Sequence, residues 1–406
     1  MPLRSRRQAV RPAVADLAYL DHAATSAVRP RAVTDAVVAY LENIGATPGR
    51  GGHRLAVEAG RVALQCRQQI AKLLNIPGDI GRIAFMANAT QALNTALHGT
   101  LRRGDRVVVT TFDHNAVLRP AAALAGQRAV EVVLVQVDAM GRVDEESLRR
   151  ALDGARLLTI NAASNVLGTR LDVPRLARLA RDAGALSVVD VAQVAGHAPF
   201  DAASADADMI AFTGHKGMLG PQGIGGLWVS AGVEVEPFMT GGTGGNSLER
   251  RMPAAYPDHL EAGTSNGPGI AGLAAGIRVV LDEGVEAIHA RTGSLRRALR
   301  AGLAAVPGVT VHSPDTPDGL PVVTITTATL DAAALAARLD REHAVLTRPG
   351  LHCAPEVHRL LGTEATGALR FSLGWSSTER DVERAVAAVE AILRSVPAPQ
   401  TVRGVT

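Results

Sequence analysis

Between residues 80 and 230 the sequence alternates short β-branched apolar runs with longer stretches of helical character, and this alternation restricts the fold more than any other feature. Residues 106–110 (RVVVT), 132–137, 157–161 (LLTIN) and 186–191 (LSVVDV) read as buried strands flanked by Gly, Asp or Arg. Residues 90–99, 117–125, 144–152 and 173–183 read as the intervening helices. The last has Asp172 as N-cap, Pro174 in its first turn and Gly184 past its end. Strands alternating with helices in this way build an α/β domain with a largely parallel sheet. Ligands of such sheets sit outside the carboxyl ends of the strands, so the loops after these runs are the place to look for a site.

After Gly241 the chain becomes a Gly/Pro-rich connector, followed by helices expected at 270–283 and 287–305. Strands near 310–312 and 322–326 and helices at 332–340 and 379–394 then make a smaller α+β domain. The expected organisation is an arm at 1–18, a large domain at 19–250, the connector and smaller domain at 251–394, and a disordered tail at 395–406. No internal repeat is visible.

Composition excludes several classes. Two cysteines, Cys66 and Cys353, cannot build a disulfide framework or a multi-cysteine zinc site, and no metal is expected. A net charge of +3 and 3% aromatic residues argue against a nucleic-acid partner. The basic N-terminus lacks the apolar run of a signal peptide, and no stretch has membrane-spanning length, so a cytoplasmic protein without membrane association is expected.

Only two of the 42 basic side chains are lysines, Lys72 and Lys216, and this matters for chemistry that needs a primary amine. Lys216 lies in AFTGHKGMLGPQGIGG, a Gly-rich segment after an apolar run. A lysine so placed can form a Schiff base with a carbonyl cofactor, while Thr213 and backbone N–H groups cradle a phosphate. The spacing is not that of a Walker A loop. Considered alone, Lys216 reads more readily as a solvated loop lysine, as most lysines are. Asp190 closes the run SVVD; a carboxylate buried there needs a cationic partner, and a protonated pyridine nitrogen is one. By itself it is equally a cap or turn residue.

The Asp…Lys pair on successive strand ends resembles the class V, fold-type I pyridoxal-phosphate enzymes, specifically the cysteine desulfurase family, from about Tyr19 to Leu393. The resemblance implies that Lys216 holds pyridoxal 5'-phosphate, that Asp190 pairs its pyridinium nitrogen and that Gln193 bonds its phenolic oxygen. In MANATQALN it places Ala89 and Thr90 at the phosphate, at a helix N-terminus that Thr90 also caps. His114 in DHNAVLRP would stack on the ring, Asn165 would lie near the cofactor oxygen and substrate carboxylate, and Thr213 with His215 would complete the phosphate cup. Gly263 and Thr264 (EAGTSN) would reach the phosphate from a partner subunit, implying a homodimer.

The segment TRPGLHCAP resembles the compact loop of the Suf-type desulfurases, which makes Cys353 the nucleophile. A nearby histidine or arginine would favour its reactive thiolate. Arg348 and Arg370 (LRFSLGW) are the expected substrate contacts, Arg370 clamping the α-carboxylate. Arg50 and His53 are weaker candidates at the entrance. Cys66 and Lys72 share one amphipathic helix and read as core and solvated face. The chain departs from the family pattern at His22, Asp113, Ala89, Pro349 and Leu351.

The resemblance implies conversion of L-cysteine to L-alanine, with Lys216 as general base, His114 shuttling a proton, and a persulfide on Cys353 passed to a protein acceptor. A selenocysteine or other carbon–sulfur lyase, a class V aminotransferase or epimerase, and a partner-dependent sulfur-relay scaffold stand as alternatives.

Overall fold

The computed structural model describes residues 17–49, 51–245 and 247–396. Most of the expected arm, most of the expected tail, and Arg50 lie outside the described residues. In chain order the first elements are β1 (Ala18–Tyr19), α1 (Arg31–Asn43), α2 (Arg54–Leu74), β2 (Ile83–Met86) and α3 (Ala89–Thr100). Then come β3 (Arg106–Thr110), α4 (Asn115–Arg128), β4 (Glu131–Val135), α5 (Glu145–Leu152), β5 (Leu157–Asn161) and α6 (Val173–Asp182). They are followed by β6 (Leu186–Asp190), α7 (Ala202–Ala205), β7 (Met209–Thr213) and β8 (Gly225–Val229). The C-terminal part holds α8 (Gly267–Glu283), α9 (Val285–Ala304), β9 (Val309–Val311), β10 (Val322–Thr327) and α10 (Ala332–His343). It ends with β11 (Val345–Leu346), β12 (Arg348–Gly350), α11 (Pro355–Leu360), β13 (Ala368–Ser372) and α12 (Glu379–Arg394).

The seven-stranded sheet runs β2-β8-β7-β6-β5-β3-β4, and β8 alone runs opposite to the other six strands. Its register sets Asn161 beside Asp190 and Asp190 beside Ala211, so the carboxyl ends of β5, β6 and β7 finish nearly level. Successive strand residues face opposite sides. Val189 and Ile210 therefore join one apolar cluster, while Val188 and Ala211 join the other. Each fully buried aliphatic side chain on these faces contributes about 1.5–3 kcal/mol.

One expected strand differs in character. Val132 and Leu134 on β4 are exposed, because β4 is the edge of the sheet and has only one neighbour. Helix α3 is capped by Asn88, whose Oδ1 accepts from Gln91 N at 3.0 Å, so Thr90 is inside the first turn and is not the cap. Asp172, Pro174 and Gly184 bound α6 as their chemistry dictates.

A second, four-stranded antiparallel sheet runs β12-β13-β10-β9. The chain's beginning belongs with it in space: β1 pairs with β11, and Ala18 and Leu20 are buried in the C-terminal apolar cluster. Cys66 is fully buried on α2 while Lys72 on the same helix is exposed. Among the described residues, no helix is long and apolar enough to cross a membrane.

Candidate active site

The loops leaving the carboxyl ends of β2, β3, β5, β6 and β7 converge on one cavity of about 220 Å³. Lys216 follows β7 by three residues. Its carbonyl accepts from Ser26 Oγ at 2.9 Å, and the preceding His215 carbonyl accepts from Ser26 N at 2.9 Å. Gly196 (φ +79°) and Gly217 bring this loop against the turn after Asp190. A Cβ on Gly217 would lie 2.4 Å from Ala195 O, and one on Gly196 would lie 2.3 Å from Gly217 O. Only glycine allows so close a backbone approach.

Burial pulls the Lys216 amine down to about 8, with Asp190 opposing that shift. Burial raises the Asp190 carboxyl, whereas the amide of Ala192, donating to Oδ1 at 2.9 Å, and the charge of Lys216 lower it. Gln193, three residues on, donates from Nε2 to Ala23 O at 3.1 Å.

One end of the cavity is built from the start of α3. Asn88 takes the Gln91 amide, and among the described residues those of Ala89 and Thr90 have no protein acceptor. A first helical turn with free amides and a macrodipole favours an anion. Thr213 adds a buried hydroxyl. His215 completes this end, its Nδ1 lying 3.1 Å from Thr25 Oγ1 and its ring held neutral by burial and Lys216, near 4.

The opposite wall comes from the second sheet. Arg348 and Arg370 are direct cross-strand partners on β12 and β13, and both line the cavity. Like charges so paired destabilise a sheet unless an anion lies between or beside them. Asp21 supplies part of that charge, accepting from Arg370 Nη2 at 2.7 Å. Arg370 Nη1 donates to Asn165 O at 3.1 Å, and Asn165 Nδ2 donates to His352 O at 2.7 Å. His114 caps α4 by accepting from Ala116 N at 3.0 Å, and burial followed by the Lys216 charge lowers it to about 4.

Three buried polar atoms of residues lining the cavity, Thr213 Oγ1, Asn165 Oδ1 and Arg370 Nε, have no hydrogen-bond partner among the described residues. Unpaired buried groups cost about 1–3 kcal/mol each, so their clustering here marks a place built for a polar ligand.

Cys353 is not among the lining residues, although His352 and Arg348 before it are. Its carbonyl accepts from Asn115 N at 2.8 Å, beside His114. His352 does not supply the expected cation near the thiol. Burial and the charge of Arg370 lower its ring to about 3, and both its nitrogens are engaged elsewhere. Gly263 lines a separate cavity with Arg67 and Phe85, and Thr264 lies outside the Lys216 cavity. His53 caps α2, accepting from Ala56 N at 3.3 Å, away from the cavity. His22 is buried edge-on to Tyr19 and also leaves the lining to Ala23 and Ala24. Sequence reasoning passed over Asp21, Ala23, Asn88 and Asn161. Asn88 alone carried a readable signal, as a cap-forming residue before an apolar helix.

The sequence model of the class-V aminotransferases matches residues 18–385. The chain belongs to the class-V aminotransferase family. Within this family it is 33% identical over 381 residues to a probable cysteine desulfurase of Methanothermobacter thermautotrophicus, covering 92% of this chain and 94% of that one. A cysteine desulfurase of Salmonella dublin is 32% identical, covering 93% and 94%. The apo structure of a cysteine desulfurase from Thermococcus onnurineus superposes with a TM-score of 0.86 at 31% identity, covering 94% of this chain and 96% of that one. The family match agrees with the mainly parallel central sheet.

Proposed function

We propose that this class-V enzyme is a pyridoxal-phosphate-dependent cysteine desulfurase that converts L-cysteine to L-alanine and leaves a persulfide on Cys353. The observation that carries the reading is the meeting of Lys216, Asp190 and the Arg348–Arg370 pair in one cavity flanked by the Cys353 loop. The donor set fits the cofactor. Ala89, Thr90, Thr213 and His215 suit a phosphate, and the unpartnered Thr213 Oγ1 lacks only an acceptor. The buried carboxylate of Asp190 suits a protonated ring nitrogen, Gln193 the phenolic oxygen, and Lys216 the covalent hold.

When bound, the cofactor's protonated ring withdraws electrons from the substrate α-carbon and so eases loss of its proton. Arg370, with Asn165 and Arg348 beside it, binds and orients the α-carboxylate by charge-assisted hydrogen bonds. The Lys216 amine, lowered to about 8 by burial, has a substantial free-base fraction near neutrality and takes the α-proton. His114, neutral and beside the cavity, is the second group able to carry a proton. The Cys353 thiolate attacks the substrate sulfur. The sulfur–sulfur bond forms as the carbon–sulfur bond breaks, the electron pair stays with the carbon fragment, and one proton delivered to the β-carbon plus return of the α-proton from Lys216 complete alanine. A half-buried Cys353 leaves the persulfide within reach of a protein acceptor. A reduced thiol nucleophile also requires a reducing compartment, which supports a cytoplasmic location. Gly263 and Thr264 lie outside their own chain's cavity, which fits a role at the phosphate of a second subunit in a homodimer.

The deciding experiment compares wild type with Cys353→Ala, supplied with L-cysteine. Both should bind the cofactor and show its visible band; wild type alone should yield alanine and a persulfide at Cys353. Undiminished alanine from Cys353→Ala refutes the reading. Pyruvate, or a strong preference for selenocysteine, moves the chain to the lyases.

A further inference from the structure

His352 and Cys353 both have left-handed backbones, φ +51° and +57°. Neither is glycine, and each such residue costs about 1–3 kcal/mol unless its surroundings hold it. Two carbonyls of this turn are tied outward: His352 O accepts from Asn165 Nδ2, and Cys353 O accepts from Asn115 N. One backbone bond closes the turn, Ala354 N donating to Leu351 O at 2.9 Å, and a second tie runs through side chains. His352 Nε2 lies 2.9 Å from Arg348 O, His352 Nδ1 lies 3.1 Å from His358 Nε2, and His358 Nδ1 lies 2.8 Å from Thr363 Oγ1. All three side chains are at most 5% exposed.

Carbonyl chemistry fixes the direction of every bond. The Arg348 carbonyl only accepts, so His352 Nε2 carries hydrogen. With the ring neutral, His352 Nδ1 is bare and must receive the hydrogen of His358 Nε2. His358 Nδ1 is then bare and receives the Thr363 hydroxyl. The proton order is thus Thr363 to His358 to His352 to Arg348, with both imidazoles in the Nε2–H form. Burial favours the neutral rings, lowering His352 to about 3 and His358 to about 4.

We propose that the Thr363–His358–His352 chain is a positioning device that braces this backbone-closed turn against Arg348 and holds the nucleophile in its left-handed, attacking presentation. This rests on Cys353 being the sulfur nucleophile. The chain spans β12, the turn and α11, and it ends on the carbonyl of the very arginine that pairs across the sheet with Arg370. His358 and Thr363 do not themselves line the cavity, so their effect reaches the reaction through His352 and the turn.

The test uses the cofactor-loaded protein and the variants His358→Leu, His358→Gln and Thr363→Val. Gln retains a donor where His358 has Nε2–H, whereas Leu has none; Val matches Thr in shape without the hydroxyl. In His358→Leu, single-turnover persulfide formation should fall about tenfold, the effect expected for one buried hydrogen bond. KM for L-cysteine and the cofactor spectrum should be unchanged, and iodoacetamide should alkylate Cys353 faster as the turn relaxes. His358→Gln should recover most of the rate, and Thr363→Val should show the same changes at smaller size. Nitrogen-15 histidine spectra of the wild type should show bare Nδ1 on both rings. The proposal is overturned by a wild-type rate in His358→Leu, by a Gln variant as slow as Leu, or by protonated Nδ1 on His352. Should His358→Leu fail to fold, a Thr363→Val protein with wild-type rate and alkylation overturns it equally. An active Cys353→Ala, by contrast, removes the underlying reading and the proposal together.

Discussion

Arg370 Nη2 donates to Asp21 Oδ1 at 2.7 Å, joining side chains 349 positions apart. The pair connects the chain's first described segment to the central strand region of the second sheet, at the cavity wall. Arg370 is 1% exposed, and Asp21 is its one carboxylate partner among the described residues. Removing one member of a buried ion pair leaves the other charge uncompensated. Asp21→Asn should therefore lower stability by about 3 kcal/mol, read from urea midpoints at constant m. Arg370→Lys should keep the charge and lose the planar fork, raising KM for L-cysteine on the order of 10–100-fold while the cofactor band persists.

Gly217 tests the close approach that sets Lys216 opposite Asp190. A methyl group there meets the backbone of Ala195 at 2.4 Å, and backbone cannot rotate away as a side chain can. Gly217→Ala should cost about 1–3 kcal/mol by overpacking. It should also slow cofactor capture, because the strain displaces the residue beside the reactive amine. Equal stability and equal capture rates would contradict the assigned packing.

Thr213→Val is the corresponding probe of the anion end. The hydroxyl is buried and unpartnered, so its loss removes no protein hydrogen bond. The protein without cofactor should be at least as stable as wild type. Its affinity for pyridoxal phosphate should fall roughly tenfold, measured by absorbance titration. A structural threonine would produce the opposite pattern, with lost stability and unchanged affinity.

What was legible in the sequence follows from what is local. A β-branched run ending in Asp190 announces a strand whose carboxyl end carries chemistry, the apolar run before Lys216 marks its neighbour less distinctly, and Asp172, Pro174 and Gly184 punctuate α6 by their own conformational preferences. Exposure of Val132 and Leu134 was not legible, since a strand's place at a sheet edge depends on its neighbours and not on its own residues. The pairing of β1 with β11 and the Asp21–Arg370 bridge are likewise closed by the fold across more than 300 positions. His352 and His358 lie six positions apart on different elements, one in a left-handed turn and the other in α11, so no single helix or strand period announces that their rings meet. Resemblance located the Cys353 loop, but the neutrality of His352 depends on its burial and on the nearby charge of Arg370, which the fold alone supplies.

Lys216 provides the pH-dependent prediction. In the cofactor-free protein its amine titrates near 8, against an ordinary 10.5, because burial penalises the charged form. A depressed folded-state value means that the unfolded chain binds more protons between about 8 and 10.5, so Lys216 makes the apoprotein more stable as pH rises through that window. Below it the buried charge is a destabilising load. Lys216→Met should therefore be more stable than wild-type apoprotein at pH 7, with the difference shrinking toward pH 10.5. Comparing the two proteins cancels the tyrosines and other groups that titrate in the same range. Cofactor capture needs the neutral amine, so its rate in wild type should rise through pH 8 and then level, followed by the visible band. A rate still climbing steeply beyond pH 10, or a stability difference that widens with pH, would show that the Lys216 amine is not desolvated as the structure describes.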